Sequence, residues 1–220
     1  MSPFGNSIAF HFDDSPCRGR RPAIFLDRDG VINERVVGGY VTNWSEFQFL
    51  SGVVPVLREL GRFRLPLIVV SNQAGVGKGL MSRGALDRIT ERFVAHLART
   101  GAPIAAVYYC PHGPDAGCRC RKPLPGLLLR AARDWRVHLG RSILIGDSPS
   151  DVEAAQAAGC QSILLDPHDD FAANPQTETR GTLSPRTLTV QRIADVPVQA
   201  AALLERCLSS ASRILPIPQE

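Results

Sequence analysis

The chain has 220 residues, 44% of them hydrophobic and 21% charged, with a formal charge of +4. These are ordinary values for a soluble globular protein with a sizeable core. No stretch approaches the roughly 18 apolar residues of a membrane span, and the arginines are scattered rather than gathered into a block. The composition therefore offers no helical membrane span, fits an anionic substrate, and gives only a weak pointer to nucleic acid.

Residues 1–22 mix Gly, Ser, Pro and charge without periodicity and read as a flexible leader. His11, Asp13 and Asp14 interrupt any apolar start, so no secretory signal is recognised and a cytoplasmic location is the default, with a monomer assumed. Residues 23–26 form a short, continuously apolar run, as expected for a strand covered on both faces. It stops at Asp27 and Asp29, two carboxylates of the same parity, and Gly30 then allows a sharp turn. Residues 34–49, with Gly38-Gly39-Tyr40, read as a flap across the open end of a sheet. Residues 52–62 have helical spacing, residues 65–70 form a second strand, and Ser82 caps a helix to about residue 99. A third strand (104–109), a helix opened by Pro125, a fourth strand (142–145), a helix (151–158) and a fifth strand (161–165) follow. Residues 166–185 read as a loop, residues 197–208 as a last helix and residues 209–220 as a mobile tail. Strands alternating with helices imply an α/β fold with a doubly wound, parallel, five-stranded core sheet over residues 23–208.

Ligands of such sheets sit beyond the carboxyl ends of the strands. There the chain places Asp27 and Asp29, Ser71-Asn72-Gln73, a cluster beginning at Cys110, and Asp147. Asp27 and Asp147 offer hard oxygen ligands for magnesium, and Lys122, after Arg121, offers positive charge to the same centre. The cluster Cys110-Pro111-His112 with Cys118-Arg119-Cys120 supplies three thiolates and an imidazole, a set suited to tetrahedral structural zinc. Cys17, Cys160 and Cys207 stand alone. Gly75-Val76-Gly77-Lys78-Gly79 fails as a phosphate-cradling loop, because Asn72 and Gly79 stand where Gly and Ser or Thr are needed. Lys78 could still reach a substrate from a helix start.

Asp27-Arg28-Asp29-Gly30-Val31-Ile32-Asn33, Val69-Val70-Ser71-Asn72-Gln73, Arg121-Lys122-Pro123 and Gly146-Asp147-Ser148-Pro149-Ser150-Asp151 resemble, in order, the four motifs of the haloacid dehalogenase superfamily of phosphatases. Within it the chain resembles the small-capped branch containing the heptose bisphosphate and histidinol-phosphate phosphatases, whose zinc loop the Cys/His cluster matches. The resemblance implies a Rossmann-type core with a minimal cap and a small phosphomonoester as substrate. It also implies that Asp27 is the nucleophile, forming an aspartyl-phosphate, and that Asp29 is the general acid/base. By the same resemblance Ser71 and Asn72 hold the phosphoryl group and Lys122 neutralises it. Asp27, Asp29 through its carbonyl, and Asp147 would bind magnesium, with Asp151 in support. Arg28, Lys78 and Arg121 are expected to meet a second anionic group. Ser148 departs from the pattern, which usually has a basic residue there.

A heptose 1,7-bisphosphate, implying a place in bacterial surface-sugar biosynthesis, is the favoured substrate. Histidinol phosphate is the runner-up. A polynucleotide 3′-phosphatase, and a zinc-organised nucleic-acid binding module with no catalysis, are the other readings.

Overall fold

The computed structural model describes residues 7–12, 21–167 and 186–211. Among the described residues the sheet has seven strands. In chain order they are β1 (Ile8–His11), β2 (Ile24–Leu26), β3 (Leu67–Asn72), β4 (Ala106–Cys110), β5 (Ile143–Gly146), β6 (Gln161–Leu165) and β7 (Thr187–Val190). The spatial order is β1-β4-β3-β2-β5-β6-β7. All neighbours are parallel except β1, which runs antiparallel to β4 with Ile8 opposite Tyr109.

The five expected strands are the central five, and the sheet extends beyond them at both edges. Residues 8–11, expected to be part of a loose leader, instead pair with β4, and Thr187–Val190 adds a parallel strand beyond β6. Most of the remaining leader, most of the loop over 166–185 and most of the tail lie outside the described residues.

Helices α1 (Val53–Gly61), α2 (Ala74–Gly77), α3 (Arg83–Arg99), α4 (Gly126–Asp134), α5 (Pro149–Ala158) and α6 (Val196–Ala211) connect the strands. The local chemistry accounts for their bounds: the Ser82 hydroxyl accepts from the Ala85 amide at 3.0 Å to start α3. Pro149 stands in the first turn of α5, and Gly159, with φ of +77°, closes it in the left-handed conformation.

Side chains alternate across each strand, so the sheet feeds two cores. Ile24 and Leu26 point toward the apolar faces of α1, α3 and α6, whereas Phe25 points toward α4 and α5. Chain connections from β2 run toward β3 and those from β5 run toward β6, so the strand order reverses between β2 and β5. A crevice opens there, beyond the strand ends. Asp27 follows β2 and Asp147 follows β5.

Candidate active site

The crevice is a cleft of about 420 Å³, and its walls include Asp27, Asp29, Ser71, Asn72, Lys122 and Asp147. Separate strand ends, with the segment that follows the Cys/His cluster, thus place these groups together. Gly30 explains how two chain segments approach so closely. Its φ is +86°, and a Cβ there would fall 1.9 Å from Asp147 Oδ2.

Asp27 is anchored by backbone and side chain. Its amide donates to the Ile145 carbonyl at 2.8 Å, and its Oδ1 accepts from the Arg28 amide at 2.7 Å and from Lys122 Nζ at 3.0 Å. Lys122 also donates to Asp151 Oδ1 and, at 3.0 Å, to the Val70 carbonyl. The second Asp151 oxygen accepts from the Ser148 hydroxyl at 2.7 Å. Ser148 thus fixes Asp151, which fixes Lys122, so the residue that departs from the motif has a structural role. Asn72 spends its side chain on the Lys122 backbone, donating to the carbonyl and accepting from the amide, each at 3.0 Å. It holds the lysine segment against β3, and both Asn72 and the neighbouring Ser71 line the cleft.

Burial, with Asp151 and Asp29 as neighbouring like charges, pushes Asp27 up to about 6 against the pull of Lys122 and Ser71. Burial with Asp27 and Asp151 pushes Asp147 up to about 7, only partly offset by Arg35 and Lys122. Burial alone would favour neutral Lys122, but Asp151 and Asp27 outweigh it, so the ammonium persists. At Asp27 and Asp147 burial and carboxylate crowding therefore outweigh the neighbouring cations Lys122 and Arg35.

Asp27, Asp147 and Asp151 each place an oxygen within 4.8 Å of the others. With both Asp151 oxygens engaged, Asp27 and Asp147 are the side chains that fit magnesium, an ion commonly held by one or two carboxylates and several waters.

Asp29 faces the cleft but is gripped from behind. Arg28 Nη2 reaches its two oxygens at 2.8 and 3.0 Å, Asn33 Nδ2 donates to Oδ1 at 2.9 Å, and Gln73 Nε2 donates to Oδ2 at 2.6 Å. Burial would raise its pKa, but Arg28, Asn33 and Gln73 outweigh burial and hold the carboxyl below the usual range. Arg28 itself corrects an expectation. It is 0% exposed, lies outside the cleft wall, and has its guanidinium carbon 5.9 Å from the Tyr109 ring centroid. It serves Asp29 rather than a second anionic group of a substrate.

The other two expected substrate cations do line the cleft. Lys78 Nζ sits 5.5 Å from the Tyr40 ring centroid, and Arg121 Nη1 donates to the His112 carbonyl at 3.3 Å. Sequence reasoning missed Arg35, which crosses from the flap to Asp147 Oδ2 at 3.1 Å. A cation does stand beside Asp147, from a residue 112 positions away. Its one sequence signal was a lone arginine in a flap facing an aspartate without a basic neighbour.

Cys110, His112, Cys118 and Cys120 converge with Sγ···Sγ of 3.6 Å between Cys110 and Cys118. His112 Nδ1 lies 3.5 Å from Cys110 Sγ and 3.3 Å from Cys120 Sγ. Hydrogen bonding from Cys120 is the main cause that draws Cys110 down to about 5, while Cys120 is pushed up by its bond to Cys110 and by burial. Three thiols this close cannot all ionise without a cation, and the donor set fits tetrahedral zinc. The cluster braces the catalytic face on two sides. The Cys110 and Pro111 carbonyls accept from the Gln73 and Gly77 amides at 2.7 and 2.9 Å, and Cys120 leads directly into Arg121 and Lys122. A Cβ on Gly77 would meet the Pro111 carbonyl oxygen at 2.6 Å, which accounts for that glycine.

We expect about one zinc per purified chain. Cys118→Ser should lower zinc content and, if the lost ion contributes ~3 kcal/mol or more, lower Tm by roughly 6–12 °C. Undiminished zinc, read by atomic absorption, would remove Cys118 from the ligand set.

Against known proteins, the chain is 40% identical over 151 residues to a D-glycero-β-D-manno-heptose-1,7-bisphosphate 7-phosphatase of Yersinia pestis, a match covering 66% of this chain and 79% of the relative. The chain belongs to the haloacid dehalogenase-like phosphatases. The family model described as HAD-hydrolase-like matches residues 119–172. A Mycobacterium tuberculosis phosphatase of this superfamily, named for the α-anomer of the same heptose bisphosphate, is 43% identical over 160 residues, covering 67% of this chain and 80% of its own. Among solved structures, the D,D-heptose 1,7-bisphosphate phosphatase of B. bronchiseptica, complexed with magnesium and phosphate, superposes with a TM-score of 0.73. It is 33% identical, over 82% of this chain and 98% of that one.

Proposed function

We propose that this phosphatase is a magnesium-dependent D-glycero-D-manno-heptose 1,7-bisphosphate 7-phosphatase acting through an aspartyl-phosphate. The observation that carries the reading is the pairing of Asp27, fixed beside Lys122, with Asp29, a second carboxylate facing the same cleft. The heptose relatives supply the substrate class.

In the first step an Asp27 oxygen bonds to phosphorus, the bond to the sugar oxygen breaks, and Asp29 gives that oxygen its proton. An incoming phosphate dianion is a like charge that favours proton uptake by Asp29. In the second step Asp29 takes a proton from water as the water oxygen bonds to phosphorus, and Asp27 leaves as a free carboxylate. Ser71 holds the phosphoryl group, and Lys122 neutralises charge on it. Asp27, Asp147 and the Asp29 carbonyl would hold magnesium, which when bound would supply Lewis-acid screening between the carboxylate and the phosphate. Lys78, Arg121 and Arg35 stand where a second phosphate of the substrate would pass.

A cytoplasmic monomer is part of the same proposal. Cys110, Cys118 and Cys120 gather beside His112 as a metal-binding set rather than as disulfides, which suits a reducing compartment. Among the described residues no helix is long and apolar enough to cross a membrane.

The test is magnesium-dependent phosphate release from both anomers of the heptose bisphosphate, from histidinol phosphate and from a nicked DNA 3′-phosphate. A kcat/KM for a heptose anomer at least about tenfold above the others is expected, equivalent to about 1.4 kcal/mol of transition-state discrimination. Preference for histidinol phosphate or DNA would replace the substrate while keeping the chemistry.

A further inference from the structure

Three groups grip Asp29, and they come from two directions. Arg28 and Asn33 belong to the same turn as Asp29, so they move with it. Gln73 is different, because it stands just past the end of β3, anchored by its amide to the Cys110 carbonyl at 2.7 Å. Gln73 is 1% exposed and does not line the cleft. One NH2 group makes two bonds, to Asp29 Oδ2 at 2.6 Å and to the Ser71 hydroxyl oxygen at 3.2 Å. The amide orientation follows from charge, since a flipped amide would set its oxygen against the Asp29 carboxylate.

We propose that Gln73 is a positioning residue for the acid–base steps, setting the orientation of the Asp29 carboxylate relative to the phosphoryl-holding end of β3. This rests on the aspartyl-phosphate reading above. Ser71 is fixed by the β3 backbone and needs little from its longer bond to Gln73. Asp29 sits on a glycine-assisted turn, and Gln73 is its short tie to the opposite side of the cleft. Without that tie the turn still presents a carboxylate, but the oxygen that trades protons is no longer aimed. The reaction should then suffer where a proton must move and be spared where it need not.

Leaving groups separate the two cases. A sugar alkoxide needs Asp29 to protonate it, whereas dinitrophenolate departs unaided; hydrolysis of the aspartyl-phosphate needs Asp29 as base after either. Gln73→Met keeps the volume and removes both donor hydrogens, and Gln73→Leu removes them with a different apolar shape; either carries the test if the other does not fold. In magnesium, with zinc content and Tm as controls, kcat/KM for the heptose bisphosphate should fall about 10- to 100-fold. On 2,4-dinitrophenyl phosphate kcat/KM should change by less than about threefold, and acid-quenched phosphoenzyme should accumulate because the second step is slowed. Equal losses on both esters without phosphoenzyme accumulation would overturn the assignment and make Gln73 a general support of the cleft. If the wild-type chain hydrolysed neither ester in magnesium, the phosphatase reading itself would fall, a result distinct from equal losses in an active enzyme.

Discussion

Asp27→Asn should abolish turnover while making the metal-free protein more stable. The loss follows from the covalent route: an amide is a poor nucleophile toward phosphorus, and removing a nucleophile of this kind costs at least ~10⁴-fold in kcat. The gain follows from electrostatics. Asp27 is raised to about 6 because burial and its neighbouring carboxylates outweigh Lys122. Between about pH 4 and 6 the unfolded chain ionises this aspartate while the folded chain retains the proton, so its contribution to stability falls across that window. Above pH 6 the deficit is constant, on the order of 2–3 kcal/mol for a shift of this size. The substituted carboxamide has no such deficit, and its oxygen can still accept from the Arg28 amide. Thermal melts without metal should show the variant above the wild type at pH 8 and level with it near pH 4. Turnover within about tenfold of wild type would eliminate the aspartyl-phosphate. A variant less stable at pH 8 would show that the Lys122 bond, not carboxylate crowding, dominates at this position.

The chemistry of this cleft was legible in the sequence because buried parallel strands are continuous apolar runs, and polar groups at their ends stand out. Asp27, Ser71 and Asp147 all announce themselves that way, and the close Cys and His spacing marks the zinc cluster. What was not legible depends on partners distant in sequence. Residues 8–11 hold only Ile8 fully buried, and they become a strand because β4 offers an open edge. Arg28 looks like a surface cation until Asp29 curls back to meet it and Tyr109, with its hydroxyl 3.0 Å from Thr90 Oγ1, closes behind. Arg35 acquires a role only because the flap crosses to β5. Asn72 illustrates a subtler limit: it stands beside Ser71 at the strand end, but its side chain faces the Lys122 backbone, which no local pattern encodes.

Lys122→Met tests whether the same carboxylates depend on one buried cation. The lysine is 3% exposed, and its ammonium meets three acceptors, Asp27, Asp151 and the Val70 carbonyl. Methionine fills similar space, so the change removes charge more than volume. It leaves Asp27, Asp151 and Asp147 without their central counter-charge, and breaking a buried pair by removing one partner costs about 3–5 kcal/mol. At roughly 2–4 °C per kcal/mol for a chain of this size, the metal-free variant should melt about 6–20 °C lower at pH 8. The deficit has a direction in pH. Asp27 and Asp147, already raised to about 6 and about 7 with the lysine present, take up protons more readily without it. The penalty should therefore shrink as pH falls through about 7 toward about 5, and magnesium at pH 8 should restore part of it by supplying the missing positive charge. Activity should not return with stability, because in the proposed mechanism Lys122 also neutralises the phosphoryl group, a role worth on the order of 10²–10³ in kcat for a single preorganised contact. A melting deficit that is equal at pH 5 and pH 8 and insensitive to magnesium would assign the lysine to packing instead. The combination of pH-dependent instability and a loss of turnover that magnesium does not restore separates the task the geometry gives it, holding the carboxylates together, from the one proposed for it, receiving the phosphate.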